Sequence, residues 1–298
     1  RPHPPEPLIL SVLRRKSSRA PILHHLQVLR ILRFDCSMNY HFCARTDPGR
    51  ARENNEDSVA IDGVTRTVVL ADGMGGYNAG EVASGMATAF IKSELSRWLL
   101  EAGAGANIRE VRRAMEICVD NANLSIFNAA SSNAQYSGMG TTLVVGVFTG
   151  DKLLLGHIGD SRCYRWRAGV LEQITKDHSL LQEQMDAGLI TPEQAATSSI
   201  KNLVTRALGV EDVVELEVNE YAVQAGDLYL LCSDGLSDMV ADTAIARIIA
   251  AESGLEQKAI QLVDAANENG GRDNISVLMV GVSESAEKRG LIARLLGK

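Results

Sequence analysis

The chain lacks most marks of a secreted, membrane-spanning or nucleotide-binding protein. It has no C-x-x-C pair, and its five cysteines (Cys36, Cys43, Cys118, Cys163, Cys232) are an odd number among 298 residues. That argues against a disulfide framework and a structural zinc site, and points to a reduced, cytoplasmic protein. No run of 18 uninterrupted apolar residues occurs, so neither a transmembrane helix nor integral membrane association is expected. No G-x-x-x-x-G-K-[ST] phosphate loop is present. The glycine cluster 73–80 follows a strand-like run, but Asn78 stands where a dinucleotide fingerprint needs glycine. A cysteine phosphatase loop is absent too. It needs five residues between Cys and Arg, whereas six separate Cys43 from Arg50 and no other cysteine has Arg at the required offset.

Positive charge is also short. Thirty Lys/Arg face 37 Asp/Glu, for a net charge of −7, which disfavours a broad nucleic-acid-binding surface or a nuclease groove. The shortage is uneven. Residues 1–37 hold seven Lys/Arg and two acids, so they carry +5 and leave −12 to the other 261 residues. Five of the seven prolines also fall within the first 21 positions. Residues 1–37 read as a disordered basic extension ahead of a domain that starts at Met38. The alternative is a transit peptide or membrane-surface anchor, with a basic amphipathic helix over Ile22–Phe34. The remainder, 45% apolar and 22% charged over the whole chain, suits one large domain over 38–282 and a polar tail over 283–298.

From Glu56 onward the patterning is regular. Ser58–Ile61 and Thr65–Ala71 read as strands, and 80–100 and 107–130 as helices. Four strand-like runs follow, Thr141–Phe148, Lys152–Ile158, Cys163–Arg167 and Leu171–Thr175. Their connections are so short that antiparallel hairpins are expected throughout. Residues 178–187 look helical, and 188–201 read as a mobile loop or flap. Strands are expected at 213–220, 227–232 and 275–282, and helices near 241–251 and 255–269. Antiparallel sheets packed on each other with helices outside satisfy this order.

Five aspartates mark the ends of these strands. Asp72 follows Thr67-Val-Val-Leu-Ala, Asp160 follows a strand ending at Ile158, and Asp234 follows Leu228-Tyr-Leu-Leu-Cys-Ser. Asp57 and Asp273 stand at strand starts. In an antiparallel sheet the end of one strand lies beside the start of the next, so all five can gather at one rim. Carboxylates crowded in this way repel unless cations neutralise them, and an all-oxygen set suits Mg²⁺ or Mn²⁺. Glycine after the acid, as in Asp72-Gly73, allows close approach and lets a main-chain carbonyl join the ligands.

The segments Arg52-Glu-Asn-Asn-Glu-Asp57, Val69-Leu-Ala-Asp-Gly-Met-Gly-Gly76, Ser137-Gly-Met-Gly-Thr-Thr142, His157-Ile-Gly-Asp-Ser-Arg162, Asp177-His-Ser179, Leu231-Cys-Ser-Asp-Gly-Leu-Ser237 and Gly271-Arg-Asp-Asn-Ile-Ser276 stand in one order along the chain. Together they resemble the bacterial-type metal-dependent protein serine/threonine phosphatases, the PPM family, over residues 40 to 282. Each motif alone is weak; the ordered set is specific. The resemblance implies an α+β fold, a four-layer α-β-β-α sandwich of two antiparallel sheets flanked by helices. It implies hydrolysis of phosphoserine and phosphothreonine in proteins by a hydroxide bridging two Mn²⁺ or Mg²⁺ ions. Asp72 would bridge the ions, Asp234 and Asp273 would hold the first, and the Gly73 carbonyl and Asp57, together with Glu56, the second. Asp160 with Asp234 would hold a third, looser ion, and Arg52 would bind the phosphate. Residues 188–201 would be the family's variable flap. Phosphoproteins, including a Ser/Thr kinase or its substrates, are the implied partners, and a monomer is expected.

This chemistry is coherent in itself. Two metals about 3.5–4 Å apart can lower the pKa of a shared water and aim hydroxide at phosphorus, and Arg offers a bidentate fork to phosphate. The chain departs from many eukaryotic members at Met74, where they carry a histidine that is a candidate general acid. Metal-bound water is then expected to protonate the leaving group. A catalytically silent phosphoprotein-binding regulator of the same fold is the alternative, and it predicts a missing carboxylate where none is missing. Among the remaining residues, Cys232 reads as a buried apolar side chain and His157 as a core or locally bonded one. His178 reads as a helix-start cap or an organiser of the flap. Gly138, Gly140, Thr141 and Thr142 read as a backbone turn entering a strand, without a catalytic role.

Overall fold

The computed structural model describes residues 38–285 apart from 77, 78, 197 and 199–202. The N-terminal extension, most of the C-terminal tail and part of the flap therefore lie outside the described residues. The elements are β1 (Met38–Asp47), β2 (Asp57–Asp62), β3 (Thr67–Met74), α1 (Ala79–Ala102), α2 (Ile108–Ser132), β4 (Gly140–Thr141), β5 (Leu143–Thr149), β6 (Lys152–Ile158), β7 (Arg162–Arg167) and β8 (Val170–Gln173). They continue with α3 (Leu180–Asp186), α4 (Pro192–Ala196), β9 (Glu217–Ala222), β10 (Leu228–Cys232), α5 (Asp234–Ser237), α6 (Asp242–Ala250), α7 (Leu255–Glu268) and β11 (Ile275–Glu284).

The strands form two antiparallel sheets. One runs β1-β11-β10-β7-β8, the other β2-β3-β5-β6-β9 with β4 paired to β3. Side chains alternate across a strand, so each strand feeds two layers of core. On β11, Leu278, Val280 and Val282 enter the seam between the sheets, where they join Val68, Leu70, Val144, Phe148, Tyr229 and Leu231. Ile275, Val277 and Met279 of the same strand face the other way, against Ile245 and Ile249 of α6 and Leu262 and Val263 of α7. α1 and α2 cover the outer face of the second sheet; a Cβ added at Gly156 of β6 would lie 3.0 Å from the Met115 sulfur of α2. The result is the expected four-layer sandwich. Cys232 is fully buried in the helix-side core, as its reading required.

Three expectations need correction. β6 and β7 do not form a hairpin. β6 pairs with β5 and β9, while β7 pairs with β10 and β8 in the other sheet, so Gly159-Asp160-Ser161 carries the chain from one sheet to the other. A three-residue turn can fold a strand back on its neighbour or hand it to a second layer, and long-range packing decides which. Second, Asp72 does not end its strand: β3 continues to Met74, where β4 pairs with it. Third, β1 has no counterpart in the periodicity reading. It is the edge strand beside β11; Met38, Tyr40 and Phe42 alternate and pack on the seam, but Ala44, Arg45 and Thr46 are all exposed, so the alternation covers only the first half of the strand.

Candidate metal centre

The two sheets bring the aspartates to a common rim. Asp57 and Asp72 stand directly opposite each other across β2 and β3. Asp160 lies on the crossover between the sheets, Asp234 opens α5 after β10, and Asp273 precedes β11 by two residues. The rim is tied across the layers by polar bonds. The Ser233 hydroxyl donates to Asp57 Oδ2 at 2.8 Å, and the Glu56 N–H donates to the Asn274 side-chain oxygen at 2.8 Å. Asn274 also donates from its amide nitrogen to the carbonyls of Pro48 and Asn54.

The electrostatics show how tightly the acids gather. Burial first, then the charges of Asp57, Asp234, Asp160 and Asp273, hold the Asp72 carboxyl well above the usual carboxylate range. Asp234 is raised in the same way by burial and by Asp160, Asp273, Asp238 and Asp57. Burial pushes Asp57 up to about 7 against the lowering bonds from Ser233 and Ser276, and burial with Asp177 pushes Asp160 to about 6. Asp57 Oδ1 is buried without a hydrogen-bond partner among the described residues. An orphaned carboxylate oxygen inside a set of mutually repelling acids is costly unless a cation meets it. All donors here are hard oxygens, which fits a divalent ion of the Mg²⁺ or Mn²⁺ kind.

The other candidates join the same rim. Gly73 is needed for close approach rather than for an unusual φ: a Cβ there would sit 2.1 Å from the Gly80 carbonyl oxygen and 2.6 Å from that of Glu56. Its N–H donates to the Glu56 carbonyl at 3.1 Å. The Glu56 carboxyl lies against Gly80 at the start of α1, with burial raising its pKa and the Gly80 N–H lowering it. Arg52 reaches the cluster through Nη2, which donates to Asp273 Oδ2 at 2.8 Å, and its side chain remains 52% exposed. Met74 offers no proton-carrying group beside these acids.

Thr141 and Thr142 do more than turn the chain into a strand: both bond the main chain of Asp72. Thr141 Oγ1 donates to the Asp72 carbonyl at 2.8 Å, and the Thr142 N–H donates to the same oxygen at 2.9 Å. The Asp72 N–H donates to Thr142 Oγ1, whose hydroxyl is also 2.7 Å from that of Ser161. Thr142→Val removes both side-chain bonds from a buried position. It is expected to cost about 1–3 kcal/mol, to be read by urea unfolding. Two adjacent hydroxyl residues after Gly-x-Gly were the only sequence signal for this role. Ser233 and Asn274, each beside a cluster aspartate, were legible only as neighbours. His178 does not cap α3, because that bond comes from the Ser179 side chain.

Known proteins share this fold and much of this sequence. The Protein phosphatase 2C family model matches residues 49–276. The serine/threonine phosphatase Stp of Listeria monocytogenes is 38% identical over 239 residues, covering 79% of this chain and 93% of that one. The solved Mycobacterium tuberculosis serine/threonine phosphatase PstP is 38% identical with a TM-score of 0.73, covering 82% of this chain and 99% of its own. A PstP catalytic domain in complex with two manganese ions superposes with the same TM-score at 38% identity, over 83% of this chain and 100% of its own. A rim of buried acids drawn from both sheets, on this fold and with these likenesses, makes the chain a member of the Protein phosphatase 2C family.

Proposed function

We propose that the protein is a metal-dependent hydrolase of phosphoserine and phosphothreonine in proteins, acting at the rim that gathers Asp57, Asp72, Asp160, Asp234 and Asp273. The observation that carries this reading is the raised, mutually repelling set of buried acids with Asp57 Oδ1 unpartnered. Asp72 would bridge two Mn²⁺ or Mg²⁺ ions. Asp234 and Asp273 would hold one, Asp57 and the Gly73 carbonyl, with Glu56 behind them, the other, and Asp160 with Asp234 a third. Bound ions would supply a nucleophile at neutral pH and charge stabilisation for the phosphoryl oxygens. The chain's own residues orient them: Thr141 and Thr142 fix the Asp72 backbone, and Ser233 fixes one Asp57 oxygen. Arg52, more than half exposed and bonded to Asp273, would offer its guanidinium fork to the substrate phosphate.

The test is hydrolysis of p-nitrophenyl phosphate and of phosphoserine and phosphothreonine peptides with Mn²⁺, with and without chelator. Activity that persists in chelator overturns the metal assignment, and no activity with Mn²⁺ overturns the reaction. In the same assay Arg52→Ala is expected to raise KM by about 10-fold or more, from the loss of a charge-assisted bidentate contact, while Mn²⁺ binding persists. An unchanged KM removes Arg52 from the phosphate site.

A further inference from the structure

His157, His178 and Glu217 form a polar cluster beside the acidic rim. His157 on β6 stands opposite Glu217 on β9. The ring of His178 stacks on that of His157, with centroids 4.6 Å apart and planes 18° from parallel. His178 Nε2 lies 3.3 Å from Glu217 Oε2. The histidines are 1% and 8% exposed. One nitrogen or oxygen from each residue lies within 4.8 Å of the others, a spacing that ligands of one metal ion also have.

The hydrogen bonds decide between a metal site and a scaffold. The Gly159 N–H points at His178 Nδ1 at 3.1 Å. An N–H can only donate, so Nδ1 must carry the lone pair and Nε2 the proton, which goes to Glu217. His157 Nε2 faces the Lys176 carbonyl at 2.9 Å, which can only accept, so that nitrogen is protonated as well. Both nitrogens of His178 are therefore committed, and a metal would have to break its bond to Gly159 or strip its Nε2 proton. Burial and the neighbouring imidazole lower the His178 pKa, which keeps the ring neutral and able to accept.

The committed atoms converge on one place. Gly159 gives its N–H to the His178 ring and receives the His178 backbone N–H on its carbonyl at 2.9 Å. Gly159 has φ +100°, and a Cβ there would lie 2.7 Å from Thr142 Cγ2, so the crossover is pressed against the residue that bonds Asp72. Asp160 is next in the chain. On the other side, the His178 carbonyl accepts the Thr205 N–H at 2.8 Å, and Leu180 donates to the Leu203 carbonyl at 2.9 Å. His178 thus joins the crossover to the segment that follows the flap.

We propose that His178 is a positioning residue: locked by His157 and Glu217, it clamps both main-chain groups of Gly159 and so aims the Asp160 carboxylate into the cluster. This rests on the reading of Asp160 as ligand to a third, looser ion. Residues that orient a ligand usually change metal affinity by about 10–100-fold when replaced.

The experiment titrates Mn²⁺ into the full chain by calorimetry, beside thermal melts, for the wild type, His178→Asn, His178→Gln, Glu217→Ala and Asp160→Asn, and titrates Zn²⁺ into the wild type and His157→Ala. Asparagine keeps an acceptor where Nδ1 stands; glutamine does not. His178→Gln is expected to weaken the loosest Mn²⁺ step by about 10-fold or more and leave the tighter steps unchanged, as Asp160→Asn does. His178→Asn, which keeps the acceptor but not the Glu217 contact, is expected to lose much less than His178→Gln and to fall near Glu217→Ala. Glu217 is 40% exposed at its side chain, so Glu217→Ala spares the core should His178→Gln fail to fold; it is expected to fall between wild type and Asp160→Asn. Three results overturn the proposal: an unchanged loose step in both His178→Gln and Glu217→Ala, equal damage from Asn and Gln, or an added Zn²⁺ site lost with His157→Ala. If the wild type binds no Mn²⁺ at all, the reading of the whole centre fails instead.

Discussion

Asp234→Ala is expected to abolish turnover of p-nitrophenyl phosphate and, at the same time, to make the metal-free protein more stable. Asp234 is assigned to two ions, so its loss removes several kcal/mol of transition-state charge stabilisation. At about 1.4 kcal/mol per tenfold this corresponds to about 10³-fold in kcat. The stability gain has a separate source. Without ions, burial and four neighbouring acids raise the Asp234 carboxyl well above its ordinary value. Each unit of such a shift costs the folded state about 1.4 kcal/mol at neutral pH, and a protein of this size melts about 2–4 °C higher per kcal/mol regained. The paired readout is a kinetic assay in Mn²⁺ and a thermal melt in chelator. Retained turnover removes Asp234 from the centre. Lost turnover with a lower metal-free melting temperature would mean that Asp234 holds the fold together instead of straining it.

Metal-free protein is expected to lose stability as pH rises from about 4 to 7, the reverse of ordinary acid denaturation. Asp57 titrates near 3.8 in an unperturbed chain and near 7 in the fold, mainly because it is buried. Asp160 moves up to about 6, and Asp72 and Asp234 move in the same direction. Between the two sets of values the native state holds more protons than the unfolded state, so unfolding becomes easier as pH rises. Their contribution is fully present below about pH 4 and lost as pH passes each folded value. Mn²⁺ competes with these protons. At pH 7 it should restore stability, by about 2.7 kcal/mol at a hundredfold excess over its dissociation constant for one site, with less effect at pH 5. Urea unfolding over this range, with Mn²⁺ or chelator, reads both slopes. A metal-free stability that climbs steadily from pH 4 to 7 contradicts the crowding of these acids.

The aspartates were legible because each marks the end or start of a strand pattern, three of them (Asp72, Asp160, Asp234) beside glycine, and antiparallel pairing puts strand ends next to strand starts. The direct pairing of Asp57 with Asp72 follows from that logic. The crossover at 159–161 was not legible, since the same local turn serves a hairpin or a change of sheet. β1 was hidden because its alternation lasts only from Met38 to Phe42 before three exposed residues, Ala44, Arg45 and Thr46, interrupt it. The bonds from Thr141 and Thr142 to Asp72 span about 70 positions, and no local pattern announces them. The clamp between His178 and Gly159 depends on a ring orientation that spacing alone does not specify.

Asp57 and Asp72 ride on one sheet, Asp234 follows one strand of the other sheet and Asp273 precedes the next, and Asp160 sits where the chain passes between the sheets. Cations held by such a set would act as fasteners between the layers as well as reagents. The seam filled by Phe148 and Tyr229 closes one end of the sandwich with apolar contact, and the ions would close the other with charge. Emptying the centre would then loosen the grip of one layer on its neighbour, so that catalytic readiness and the alignment of the two halves rise and fall together.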